Sequence, residues 1–102
     1  MMTVITQVLL KPGSEPEWDL AMRDRLGAAT DQPGWVAGQL LTPLDGLNSR
    51  VIVGTWMTRA DWEAWHEDPA FKETRERMEG LQERPSEMQW FEVVTDAHEA
   101  SA

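Results

Sequence analysis

Two spacings of apolar residues alternate along this chain, and the switches between them mark its elements. Residues 3–11 (TVITQVLLK) place Val4, Ile5, Val8, Leu9 and Leu10 on both alternating faces, as in a strand covered on each side. Thr6 and Gln7 interrupt that run. Either one of them lies near its edge and hydrogen-bonds locally, or Gln7 projects into a cavity with an amide that both donates and accepts. Lys11-Pro12-Gly13 is a turn, and Ser14-Glu15-Pro16-Glu17 has the form of a capping box. The period then becomes helical: Trp18, Ala21, Met22, Arg25, Leu26 and Ala29 fall on one stripe, with Arg23, Asp24 and Asp31 on the solvated side. Gly27 interrupts this helix and allows close approach to whatever lies beneath it. Gln32-Pro33-Gly34 ends it.

Residues 35–42 (WVAGQLLT) and 50–57 (RVIVGTWM) read as two strands, antiparallel through a short link with an Asp45-Gly46 turn signal. Thr58 to Asp61 is a helix start, a hydroxyl to cap free N–H groups and an acid three residues on. Trp62 and Trp65 follow at helical spacing. Asp68-Pro69 opens a second helical piece over 69–78, with Phe71, Thr74 or Arg75, and Met78 inward, and Gly80 as its stop. Residues 84–86 form a loop, and 87–95 (EMQWFEVVT) a fourth strand. The order is β-α-β-β-α-β, which predicts an α+β, ferredoxin-like fold: a four-stranded antiparallel sheet with its helices on one face. One domain spans residues 1–96, and 97–102 is a flexible polar tail. The strands are apolar on both parities, so the face without helices needs a partner, and a homodimer through the sheet faces is the simplest cover.

Composition narrows the function. The chain has 102 residues, 18 acids against 9 bases and a formal charge of −9, which argues against nucleic-acid and anionic-membrane partners. It contains no apolar run long enough to span a bilayer. Its start lacks the basic residues and cleavage site of a secretory signal, so the cytoplasm is the expected compartment. With no cysteine there is no thiolate nucleophile and no disulfide. The 2 histidines, His66 and His98, are scattered and read as surface residues, His66 pointing about 100° away from Trp65 on its helix. They make no metal cluster and no acyl-transfer triad. The 6 tryptophans, beside no tyrosine, bulk out a thin core or wall an aromatic cavity.

Pro33-Gly34-Trp35, Gly38-Gln39-Leu40-Leu41, Thr55-Trp56-Met57-Thr58, the run from Trp62 through Trp65 and Pro69 to Phe71, and the closing Phe91-Glu92-Val93-Val94 resemble the antibiotic biosynthesis monooxygenase (ABM) domain. The resemblance spans about residues 2–96 and implies a dimeric α/β barrel of ferredoxin-like subunits. Some members of that family are cofactor-independent monooxygenases of polycyclic aromatics, some degrade haem, and many have no known activity. Carried over by position, Gln7 stands where the haem-degrading branch has an asparagine and Trp65 where it has a tryptophan. Arg75 stands where that branch has its histidine ligand, and a guanidinium has no lone pair for iron.

The expected site is therefore an aromatic pocket between helices and sheet. Gln7, Trp65 and Arg75 are its candidate catalytic residues, and Thr6, Trp62, Phe71 and Met78 its candidate substrate contacts. Arg75 stabilises a phenolate or enolate there, or else belongs to an exposed charged run and pairs with Glu79. Three classes stay open: a cofactor-independent monooxygenase of a flat aromatic molecule, a haem-binding or haem-degrading protein, and a non-catalytic dimeric binding module.

Overall fold

The structure, a computed structural model, describes residues 1–98; most of the expected tail lies outside the described residues. The elements run β1 (Met2–Leu9), α1 (Glu15–Ala29), β2 (Trp35–Leu41), β3 (Ser49–Trp56), α2 (Arg59–His66), α3 (Pro69–Met78) and β4 (Glu87–Glu92). Fully antiparallel pairing in the order β2-β3-β1-β4 makes an open ferredoxin-like sheet, as the pattern predicts. The fourth strand stops at Glu92, short of the predicted end at 95.

Local chemistry sets the helix ends, with one difference from the sequence reading. Thr58 Oγ1 accepts from the Asp61 N–H at 3.1 Å, and Asp68 Oδ1 accepts from the Ala70 N–H at 2.9 Å. Ser14 occupies the N-cap of α1 but makes no capping bond. Its hydroxyl instead sits 2.6 Å from the Lys11 carbonyl and 2.9 Å from the Leu81 carbonyl, tying the start of α1 to the segment after α3. Gly34 has φ +82°, where a β-carbon would also overlap Asp61, so glycine is required at this turn. Among the described residues nothing lies within contact range of a β-carbon at Gly27, so no close approach explains that glycine.

Two apolar clusters join helices to sheet. Val8, Leu10, Trp18, Ala21, Met22 and Met78 form one, and Ala29, Trp56, Trp65 and Phe71 form the other. Register divides the strands by parity. Met2, Val4, Thr6 and Val8 pair with Trp56, Gly54, Ile52 and Arg50, so these residues share the helix-covered face. Thr3, Ile5, Gln7 and Leu9 share the opposite face with Thr55, Val53 and Val51, and Leu41 and Phe91 extend it. No element of the chain covers that face among the described residues; Leu41 and Phe91 are 43% and 44% exposed.

Candidate active site

Helices and sheet do not close completely on one another, and a cleft of about 800 Å³ opens between them. Val4, Thr6 and Val8 of β1 and Ile52, Gly54 and Trp56 of β3 make its floor. Gly54 leaves that floor low: a β-carbon there would meet only Trp56 Nε1, at 3.8 Å. Trp18, Met22 and Arg25 of α1 form one wall, and Trp62, Trp65, His66, Phe71, Arg75 and Met78 the other. Residues 79–80, 82–86 and Met88 complete the lining.

Ring-to-ring contacts run unbroken from Trp35 through floor and wall to Trp90. Trp35 meets Trp56 edge-on at 5.2 Å, Trp56 lies 6.4 Å from Trp65, and Trp65 meets Phe71 edge-on at 5.7 Å. His66 is wedged between Phe71 and Trp62, 4.2 Å from each ring centroid, and Trp62 reaches Trp90 at 5.6 Å. Such edge-to-face contacts add to area burial and fix ring orientation. Trp65 is thus both core and cleft wall, with only 4% of its surface exposed.

Six of the seven residues expected at the site line this cleft: Thr6, Trp62, Trp65, Phe71, Arg75 and Met78. Gln7 does not. It pairs with Val51 and Glu87 on the face away from the helices, and its side chain is exposed there. The sequence could not decide between Thr6 and Gln7 because both parities of the strand are apolar. Helix packing decides it, and the polar group that β1 delivers to the cleft is the Thr6 hydroxyl.

Arg75 is exposed at the cleft opening and does not pair with Glu79. The α3 ion pairs among the described residues are Lys72–Glu67 and Arg77 with Asp24 and Glu73. Thr74 is the buried residue of the pair left open by the sequence, 2% exposed.

Two cleft residues escaped the sequence reading. His66, expected on the surface, is half-buried in the wall, because the chain breaks at Glu67-Asp68 and α3 folds Phe71 back against it. Its Nδ1 lies 2.8 Å from the Trp62 carbonyl oxygen. Burial, together with the charges of Arg25 and Arg75, pushes the imidazole below the usual histidine range, against the opposing pull of that carbonyl and Glu67.

Arg25 is the second. Its guanidinium stacks 4.1 Å over the Phe71 ring and its Nε donates to Thr74 Oγ1 at 2.9 Å. No carboxylate pairs with it among the described residues. Burial, with the charge of Arg75 nearby, lowers its pKa to about 10, so it still carries its charge at neutral pH. The available signal was its position, the single charged residue in the apolar stripe of α1.

The cleft is therefore aromatic within, and its charged lining residues are Arg25, Arg75 and Arg84 with Glu76, Glu79 and Glu83. Among the described residues there is no group of histidines and acids able to hold a metal ion, and no helix is long and apolar enough to cross a membrane.

Comparison with solved structures returns the same fold at low identity. A protein of the antibiotic biosynthesis monooxygenase type from Nitrosomonas europaea superposes with a TM-score of 0.89 at 18% identity, covering 93% of this chain and 100% of its own. SnoaB, a cofactor-independent oxygenase from Streptomyces nogalater, gives 0.83 at 21%, covering 96% and 97%. Another protein of that type, from Caulobacter crescentus, gives 0.86 at 13%, covering 92% and 90%. A comparison with the curated proteins finds no significant match. The sequence profile of the family "Antibiotic biosynthesis monooxygenase" (ABM) matches residues 1–77. With three quarters of its length matched and the fold shared throughout, this chain belongs to the antibiotic biosynthesis monooxygenase family.

Proposed function

We propose that this protein is a monooxygenase that needs no cofactor and oxidises a flat aromatic or polycyclic molecule in the cleft, working as a homodimer joined through its uncovered sheet faces. The observation that carries this reading is the cleft itself: about 800 Å³ walled by aromatic rings, with Thr6, Arg25 and His66 set among them. Resemblance in fold to a cofactor-independent oxygenase supports it.

The chemistry asks little of the protein. An electron-rich substrate anion gives electrons to O₂. One oxygen atom enters the substrate, converting a ring-flanked CH₂ to a carbonyl, and the other leaves as water, so the substrate is the only reductant. The cleft must orient the ring, stabilise negative charge and exclude bulk water. Trp65, Trp62, Phe71 and Met78 orient it, Thr6 offers a hydroxyl from the floor, and Arg75 supplies positive charge at the opening. Gln7 is left outside this scheme by its position on the other face.

Titration with hydroxylated polycycles tests the reading. A bound ring quenches tryptophan fluorescence, and oxygen uptake proceeds without added flavin, haem or metal. Gly54→Val raises the floor and abolishes both responses while the thermal midpoint holds. Oxygen uptake that stays at background across a panel of such compounds rejects the activity.

Haem binding is the second reading, favoured by one observation: an imidazole, His66, lines the cleft beside two guanidiniums. His66 would then be the iron ligand that Arg75 cannot be. A Soret shift on adding haem, lost in His66→Gln, would select this reading over the first.

A further inference from the structure

We infer that His66 is the general base of this cleft, taking a proton at Nε2 from an acidic hydroxyl of the bound ring, while Arg25 holds the oxyanion that results. The inference rests on the cleft being the site of an aromatic molecule, and it narrows that molecule to a phenol or enol.

The tautomer comes first. A carbonyl oxygen can only accept, so the 2.8 Å contact with Trp62 puts the hydrogen of the neutral ring on Nδ1. Nε2 is left with a lone pair. Trp62 and Phe71 pack against the ring, each 4.2 Å from it, and with the Nδ1 contact favour this orientation. A base must also be unprotonated before it acts. The charged groups acting on His66 come from every helix around it: Arg25 from α1, Glu67 just past the end of α2, and Arg75 from α3. Burial, Arg25 and Arg75 outweigh the Trp62 carbonyl and Glu67, so the imidazole is held below the usual histidine range and its neutral form is favoured.

Arg25 completes the pair. His66 and Arg25 both rest on the Phe71 ring, at 4.2 and 4.1 Å from its centroid, so base and cation share one support. Among the described residues only Nε of Arg25 is committed, to Thr74, which leaves both terminal nitrogens for a ligand oxygen. A half-buried guanidinium that no described carboxylate pairs with is stabilised by an incoming anion. In the step proposed, the substrate O–H bond breaks and an Nε2–H bond forms. The electron pair stays on oxygen and spreads into the ring, and the imidazolium is balanced by the new anion. No oxidant takes part in this step.

The probe is 2-hydroxyanthraquinone, a flat phenol whose absorption moves to longer wavelength on ionisation. At one pH unit below its own pKa, about a tenth of the free dye is ionised. On binding the wild-type protein most of it should become anionic, a fall of at least one unit in its apparent pKa. In the same titration the ¹⁵N signals of His66 should move from the neutral Nδ1–H tautomer to imidazolium. His66→Gln should cut the anionic fraction at least fivefold, Arg25→Gln should weaken dye binding at least tenfold, and Arg25→Lys should restore part of that loss. His98→Gln should match wild type. Dye bound in its neutral form, an anionic band unchanged in His66→Gln, or a His66 signal that stays neutral overturns the assignment while leaving the aromatic cleft intact. Absence of any binding overturns both. The wild-type ¹⁵N measurement decides the case even if a variant fails to fold.

Discussion

Arg50 and Asp19 meet in a two-pronged ion pair, Nε to Oδ1 at 2.9 Å and Nη2 to Oδ2 at 3.0 Å, that fastens β3 to α1. Arg50 is 6% exposed, and its Nη1 also donates to the Leu47 and Ser49 carbonyls, so the guanidinium is held from both sides. Asp19→Ala leaves that charge buried with carbonyl partners alone and should destabilise the fold by about 2–4 kcal/mol, the lower side of what breaking a buried pair costs because Asp19 is partly exposed. Chemical denaturation checks the value. A change under 0.5 kcal/mol would mean that water replaces the carboxylate at little loss.

Two glycines should respond in opposite directions. A β-carbon at Gly38 would overlap the Trp35 indole, itself packed edge-on against Trp56. Gly38→Ala should cost about 1–3 kcal/mol by overpacking. Gly27 sits inside α1 with open space around it, so Gly27→Ala should add about 0.5–1 kcal/mol. Thermal melts of the two variants are sufficient, and a shift in the same direction for both contradicts the packing described.

The uncovered sheet face predicts the oligomer. Ile5, Val51, Val53, Leu41 and Phe91 lie on this face with Gln7, Gln39 and Gln89 and with the Thr3–Thr55 hydrogen bond of 2.8 Å. Sedimentation should give about twice the chain mass of 11.6 kDa, and Val53→Arg, on an inner strand of that face, should give a monomer. A wild-type chain that sediments as a monomer at micromolar concentration removes the dimer from the proposal.

Trp65 separates core from site when two substitutions are compared. Trp65→Ala removes a buried ring that touches both Trp56 and Phe71, and should cost about 3–5 kcal/mol, enough to unfold much of a domain this small. Trp65→Phe keeps a ring there and should stay folded, with its midpoint lowered by about 4–8 °C for each kcal/mol lost. If Trp65 also walls the ligand, the folded phenylalanine variant should bind flat phenols at least tenfold more weakly. Unchanged affinity would make Trp65 a core residue only.

Element order was legible in the sequence because capping residues, turn residues and the two apolar periods are local properties. Thr58, Asp68-Pro69 and Pro33-Gly34 mark their boundaries without reference to the rest of the chain. The two-sided apolar strands also announced a sheet with an unmet face. What the strands could not tell was which parity meets the helices, since an apolar residue on either side reads alike. Packing of α1 and α3 on the even residues of β1 made Thr6 a cleft residue and left Gln7 outside. His66 and Arg25 depended on tertiary structure for the same reason. One is brought into the wall by the break between α2 and α3, and the other by the stacking of α1 against Phe71. Periodicity assigns a residue to a face of its own element. Which charges and rings then converge is decided by contacts between elements distant in sequence.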